Sequence, residues 1–136
     1  MATKNQLSDR ARAFLAERRF AVLATVNADG SPQLTTMWYE LQGDEIMMNT
    51  KAGRLKDANM RRDPRVALCF EEGYSYVTVA GRVRLIEDQA VAQADIRRLA
   101  EIYDGPERAE QMVRSQFMHE QRVSLRLTIE RVSEQW

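Results

Sequence analysis

The feature that most constrains the fold is a strict two-residue alternation near the end of the chain. Val123, Leu125, Leu127 and Ile129 alternate with Ser124, Arg126, Thr128 and Glu130. Successive strand side chains point to opposite faces, so this run is a half-buried strand with one face toward a core. A second long run, Tyr74 to Ile86, places Val77, Val79, Val83 and Leu85 on one face and Tyr76, Thr78, Arg82 and Arg84 on the other. Strands this long need neighbours to pair their backbone polar groups. Gly81 interrupts the second run and predicts a bulge or bend, a device that curls a sheet toward a barrel.

Shorter strands supply those neighbours. Phe20 to Val26 is rich in apolar and β-branched residues, and Asp29-Gly30 turns it into Pro32 to Tyr39, a hairpin signal. Gln42-Gly43-Asp44 turns the chain into Glu45 to Thr50, and Arg65 to Phe70 carries Val66, Leu68 and Phe70 on one face. Helical spacing appears in four places. Ser8 caps a helix bearing Leu7, Ala11, Phe14 and Leu15, with Arg18 and Arg19 at its C-terminal end. A short helix from Gly53 to Arg62 has Leu55, Ala58 and Met60 as its apolar residues, and Pro64 ends it. Ala92, Ile96, Leu99, Ala100 and Tyr103 line one face of a third, and Glu107 to Glu120 forms a fourth through Ala109, Met112, Val113 and Phe117. The sum is a mainly β fold with peripheral helices: a six-stranded antiparallel barrel in one domain spanning residues 1–136.

Charge and cysteine usage exclude several functions. Twenty basic and twenty acidic side chains cancel, which leaves no global field for nucleic acid or an anionic membrane, so any anion site is local. One cysteine, Cys69, and one histidine, His119, rule out an internal disulfide and a Cys/His zinc site, so no metal is expected. The residues after Met1 lack the apolar core of a signal peptide, and no run approaches the ~20 apolar residues of a membrane span, so the expected location is the cytoplasm. Cys69 is expected as an inert core thiol, Trp38 as barrel filling, Met37, Met47 and Met48 as gap-fillers, and His119 as a cap of its helix.

The segment from Thr50 to Arg65 departs from a generic pattern. It holds six basic residues (Lys51, Arg54, Lys56, Arg61, Arg62, Arg65) against two acidic ones (Asp57, Asp63). It also lies where a strand runs into a helix, whose N-terminus offers free N–H groups and a positive dipole end. Gly53 allows close backbone approach, while Arg54 and Lys56 add a bidentate fork and a point charge. This suits a phosphate; the competing reading is a solvated helix face with paired cations.

Thr50-Lys51-Ala52-Gly53-Arg54-Leu55-Lys56, followed by Arg62-Asp63-Pro64-Arg65-Val66-Ala67-Leu68, resembles the signature of the pyridoxamine-phosphate-oxidase-like family, FMN-binding split barrels. Ala24-Thr25-Val26, Asp29-Gly30-Ser31-Pro32 and Val79-Ala80-Gly81-Arg82-Val83 fall where that family has its first hairpin and long strand, so the resemblance covers roughly residues 8 to 132. The strand Gln33 to Glu40 carries no cation, and no Arg-His-Asp-Arg tail closes the chain, unlike the vitamin oxidases. The branch resembled is the one using the deazaflavin coenzyme F-420.

The resemblance implies a phosphate held by Thr50, Lys51, Arg54, Lys56 and the Gly53 backbone, with Asn49 beside them. It implies that Gln33, Thr35, Thr36 and Met37 line the coenzyme ring, that Arg61 or Arg62 serves a polyglutamate tail, and that Tyr76 reaches a cofactor across a homodimer interface. The implied function is hydride transfer between coenzyme F-420 and a small unsaturated substrate. The proton donor is left open between Tyr76, His119 and water. FMN-dependent oxidase or flavin-reductase chemistry is the alternative, and a cofactor carrier without turnover is the third reading.

Overall fold

A computed structural model describes residues 3–136. The elements in chain order are β1 (Thr3–Lys4), α1 (Asp9–Ala16), β2 (Ala21–Val26), β3 (Pro32–Met37), β4 (Glu40–Gln42), β5 (Glu45–Lys51), α2 (Leu55–Arg62), β6 (Arg65–Glu72), β7 (Ser75–Ile86), α3 (Gln89–Asp104), α4 (Pro106–Ser115) and β8 (Arg122–Gln135), with a 3-10 turn at Phe117–His119. All pairings are antiparallel, in the order β3-β2-β6-β7-β8-β5-β4, and β1 adds to β8. The path ends on β3 and β4, which follow each other in sequence without pairing, so the barrel is split there. Among the described residues, eight strands stand where the sequence predicts six. The extra two, β1 and β4, span two and three residues, too short for alternation to show.

The long pair β7–β8 is the backbone of the sheet, and Gly81 does what its position predicts. The register shifts between Ala80 and Gly81, which face Arg131 and Ile129, leaving Glu130 as the extra residue. A Cβ on Gly81 would lie 1.8 Å from the Thr128 carbonyl oxygen, so only glycine permits this approach. The hairpin turn is also as read: Gly30 takes φ +88°, its N–H bonds the Asn27 carbonyl at 2.9 Å, and Asp29 Oδ1 accepts from the Ser31 N–H at 2.9 Å.

Inside the barrel, Leu23, Ile46, Met48, Leu68, Phe70, Val77, Leu125 and Leu127 are essentially inaccessible. Ser8 caps α1, its Oγ accepting from the Ala11 N–H at 3.0 Å, and Ala11 and Leu15 face the core. The helix stops at Ala16, so Arg18 and Arg19 lie beyond it; Arg19 still donates to the Phe14 carbonyl of the last turn, at 3.0 Å. Helix α3 buries Ala92, Ile96, Leu99, Ala100 and Tyr103, the face its spacing predicts. The fourth helix is shorter than expected. It ends at Ser115, and the 3-10 turn carries Phe117 into the interior. His119 is exposed, with Nε2 2.9 Å from the Arg114 carbonyl, in keeping with a capping role.

Two expectations fail for the same reason, a face read from composition. Cys69 points outward from β6 and is only half-buried, since Val66, Leu68 and Phe70 take the inner face. Burial, then Glu71, raises its thiol pKa, which keeps it protonated. Helix α2 begins at Leu55 rather than Gly53, leaves Leu55 and Ala58 exposed, and buries Lys56, Asp57, Asn59 and Met60. Its inward face is polar. Asn59 Nδ2 donates to Thr25 Oγ1 at 3.1 Å and Asn27 Oδ1 at 2.9 Å, so the helix docks by hydrogen bonds onto the first hairpin.

Candidate functional site

A cavity of about 490 Å³ opens between the edge of β3, the N-terminal turn of α2, and helix α3 with the 3-10 turn. That is within the size range of small-molecule sites. Its apolar walls are Phe20, Met37, Trp38, Ile96, Leu99 and Phe117; its polar floor includes Arg54, Lys56 and Arg122. Trp38 is half-buried and stacks on Tyr103, with centroids 5.1 Å apart and planes 14° apart. It is therefore a cavity wall rather than barrel filling.

Lys56 decides the chemistry. It is 8% exposed, and among the described residues it makes no hydrogen bond or ion pair. Burial is the first cause that lowers its pKa below the ordinary lysine value, and the charges of Arg54 and Arg122 lower it further. Arg54 likewise has no carboxylate partner among the described residues, and it lines the cavity at the N-terminus of α2 without making a side-chain cap. A lysine ammonium with little access to water beside two guanidinium groups is costly unless an anion joins it. Such a site calls for a phosphate or a similar group.

The other cations of the segment are engaged elsewhere. Arg61 pairs with Asp57 and Glu87, each at 2.9 Å. Arg62 donates to the Val26 carbonyl and, at 3.0 Å, to Asn59 Oδ1. Arg65 grips Asp63 at 2.7 Å, and its hydrogen bonds hold that carboxyl at about 2. Lys51 is exposed, with Glu120 3.8 Å away. Gly53 adopts φ +91° with open space where a Cβ would sit, yet its N–H already bonds Asp57 Oδ2 at 2.9 Å. That N–H is not free for a phosphate.

Of the residues expected around a coenzyme, Thr36, Met37, Asn49, Arg54 and Lys56 line the cavity, whereas Gln33, Thr35, Thr50, Lys51, Gly53, Arg61 and Tyr76 do not. Strand alternation explains part of this. Thr50 shares the barrel-facing side of β5 with Ile46 and Met48, and its buried Oγ1 lacks a partner among the described residues. Gln33 Oε1 accepts from Thr25 Oγ1 at 2.9 Å. Tyr76 pairs with Glu71 on one side and Gln135 on the other. His119 lines a separate hollow with Gln89 and Gln93.

The sequence reading missed Arg122, Trp38 as a wall, Phe20, and the covering residues Ile96, Leu99, Gln116 and Phe117. Arg122 alone had a signal available. It is a cation directly before the alternation of the last strand begins; its 4% exposure, unusual for arginine, emerges only in the folded structure.

The sequence pattern of the pyridoxamine 5'-phosphate oxidase family matches residues 7–136. An F-420H(2)-dependent biliverdin reductase from Mycobacterium tuberculosis (strain CDC 1551 / Oshkosh) is 32% identical over 98 residues, covering 70% of this chain and 72% of that protein. The crystal structure of the conserved hypothetical protein Rv2991 from Mycobacterium tuberculosis superposes with a TM-score of 0.79 at 31% identity, covering 96% of this chain and 86% of that one. A structure described as an F-420 reductase gives 0.77 at 25% identity, covering 93% and 98%. With nearly the whole chain matched and the split barrel in place, the protein belongs to the pyridoxamine 5'-phosphate oxidase family.

Proposed function

We propose that this protein is an oxidoreductase that uses reduced coenzyme F-420 to reduce a small unsaturated organic substrate. The observation that carries the reading is Lys56, a largely buried lysine without a carboxylate partner among the described residues, on the polar floor of a cavity with apolar walls. The coenzyme supplies the hydride when bound. The chain's task is to hold and orient it and to keep water away. Arg54 and Lys56 grip the phosphate, while Trp38, Met37 and Thr36 border the ring end and Ile96, Leu99 and Phe117 exclude solvent. No histidine or carboxylate lines the cavity among the described residues, which suits chemistry carried by a coenzyme. The names of the F-420-dependent relatives support the same choice of coenzyme.

A homodimer belongs to this reading. Phe20, Val22 and Leu34 are 59%, 37% and 64% exposed, and Thr36, which lies across from Val22 on the same outward face, reaches the cavity rim. A second copy covering that face would close the cavity on its open side.

Fluorescence titration of the purified protein with F-420 and with FMN tests the proposal. Tight binding of F-420 and weak binding of FMN is expected. Preference for FMN would replace the deazaflavin reading with a flavin one, and binding of neither would refute a cofactor role. Oxidation of reduced F-420 in the presence of unsaturated acceptors then separates an enzyme from a carrier.

A further inference from the structure

Arg122 stands apart from every cation the basic segment supplies. It comes from the start of β8, far away in sequence, and is nearly inaccessible. Its Nε donates to Asn49 Oδ1 at 3.0 Å, its Nη1 to Glu120 Oε1 at 2.8 Å, and its guanidinium lies 5.0 Å from the centroid of the Phe117 ring. Nη2 makes no contact with an acceptor among the described residues, and Arg122 lines the same cavity as Arg54 and Lys56. Glu120 is the carboxylate beside Arg122, whereas Arg54 and Lys56 have no carboxylate partner among the described residues.

Asn49 lines that cavity too, yet both its polar atoms are engaged. Oδ1 accepts from Arg122, and Nδ2 donates to the Ala92 carbonyl at 2.9 Å and to Ser124 Oγ at 3.1 Å. Ser124 Oγ in turn donates to Asp95 Oδ2 at 2.6 Å, and Arg126 pairs with the same carboxylate at 2.7 Å. This chain of bonds runs from β8 through β5 and α3, and it fixes the amide that holds the guanidinium.

We propose that Arg122 is the third cation of the anion site, binding the phosphate directly through its remaining N–H groups, and that Asn49 is a positioning residue acting only through Arg122. The inference rests on the cavity being the phosphate site of the coenzyme. It assigns Asn49 a different part from a direct ligand, and it makes the site a composite of two distant stretches of chain.

A double-mutant cycle tests it, with F-420 affinity read by fluorescence and melting temperature read with and without inorganic phosphate. Arg122→Gln is expected to weaken F-420 binding by about tenfold to a hundredfold, with Arg122→Lys recovering part of the loss. Asn49→Ala is expected to cost about tenfold alone and nothing further in the Arg122→Gln background, because it has no guanidinium left to hold. Inorganic phosphate should raise the melting temperature of the wild type and not of Arg122→Gln. Wild-type affinity in Arg122→Gln overturns the proposal. So does a full Asn49→Ala effect in that background, which would make Asn49 a ligand in its own right. Failure of both Arg122 variants to fold also overturns it, as a structural role would explain that. If the wild type binds neither coenzyme, the proposed function fails instead, and the phosphate melting shifts still judge Arg122.

Discussion

Arg54 and Lys56 at the start of helix α2 and Arg61, Arg62 and Arg65 at and beyond its end carry like charge and meet opposite fates. Arg61, Arg62 and Arg65 each find a protein acceptor; Arg61 ties helix α2 to Glu87 and Arg62 ties it to the Val26 carbonyl, while Arg65 pairs locally with Asp63. Arg54 and Lys56, only a few residues earlier, find none among the described residues and face the cavity. A paired cation contributes to the fold, whereas an unpaired buried one leaves a site awaiting an anion. Charge density alone did not separate the two groups. The location of the acceptors did.

The comparison breaks most sharply at Lys56. Lys56→Met should weaken F-420 binding by about a hundredfold while the protein without coenzyme melts at or above the wild-type temperature, since the substitution removes a desolvated charge. Fluorescence titration beside a thermal melt checks both. A falling melting temperature with unchanged affinity would place Lys56 among the structural cations.

The pH dependence sharpens the same contrast. The folded pKa of Lys56 lies below its ordinary value of 10.5, so between the two the unfolded chain holds the extra proton. Stability of the protein without coenzyme should therefore rise with pH through that window. Affinity for the anion should fall over the same interval as the ammonium is lost. Titrations and melts across the alkaline range, compared with Lys56→Met, should show both trends in the wild type and neither in the variant.

Smaller effects are expected from the second group. Arg61→Gln should destabilise by about 1–2 kcal/mol in denaturant melts and leave coenzyme affinity unchanged. The Arg61 side chain is 40% exposed, which screens the pair, but its partner Asp57 is only 6% exposed and would keep just the Gly53 N–H. At the far end, Arg65→Gln should alter neither affinity nor the neutral-pH melting temperature, because its pair with Asp63 is solvated. Its signature is a return of the Asp63 carboxyl from about 2 toward the ordinary range, visible by NMR titration.

Much of the architecture was legible because its signals are local. The alternation in β7 and β8, the Asp29-Gly30 turn, the Ser8 cap and the buried face of α3 each depend on residues within a few positions of one another. Helix α2 was misread because apolar spacing is a poor guide where docking is polar: Leu55 and Ala58 lie outside, and Asn59 anchors the helix to Thr25 and Asn27. The site was half legible. Arg54 and Lys56 announced themselves by charge at a helix start, but Gln33 turns to Thr25, and Thr50 faces the barrel interior with no hydrogen-bond partner for its Oγ1 among the described residues.

By itself, then, the sequence determined the strand and helix periodicities, the need for glycine at the β7 bulge and the presence of a local excess of positive charge. These follow from backbone geometry and side-chain type, which neighbours in sequence reveal. Only the tertiary structure decided which cations stay unpaired. It also brought Arg122 beside Lys56 and set Trp38 and Phe117 as walls. The reason is physical: pairing, desolvation and enclosure depend on groups brought together from distant parts of the chain, and that proximity exists only once the barrel has formed.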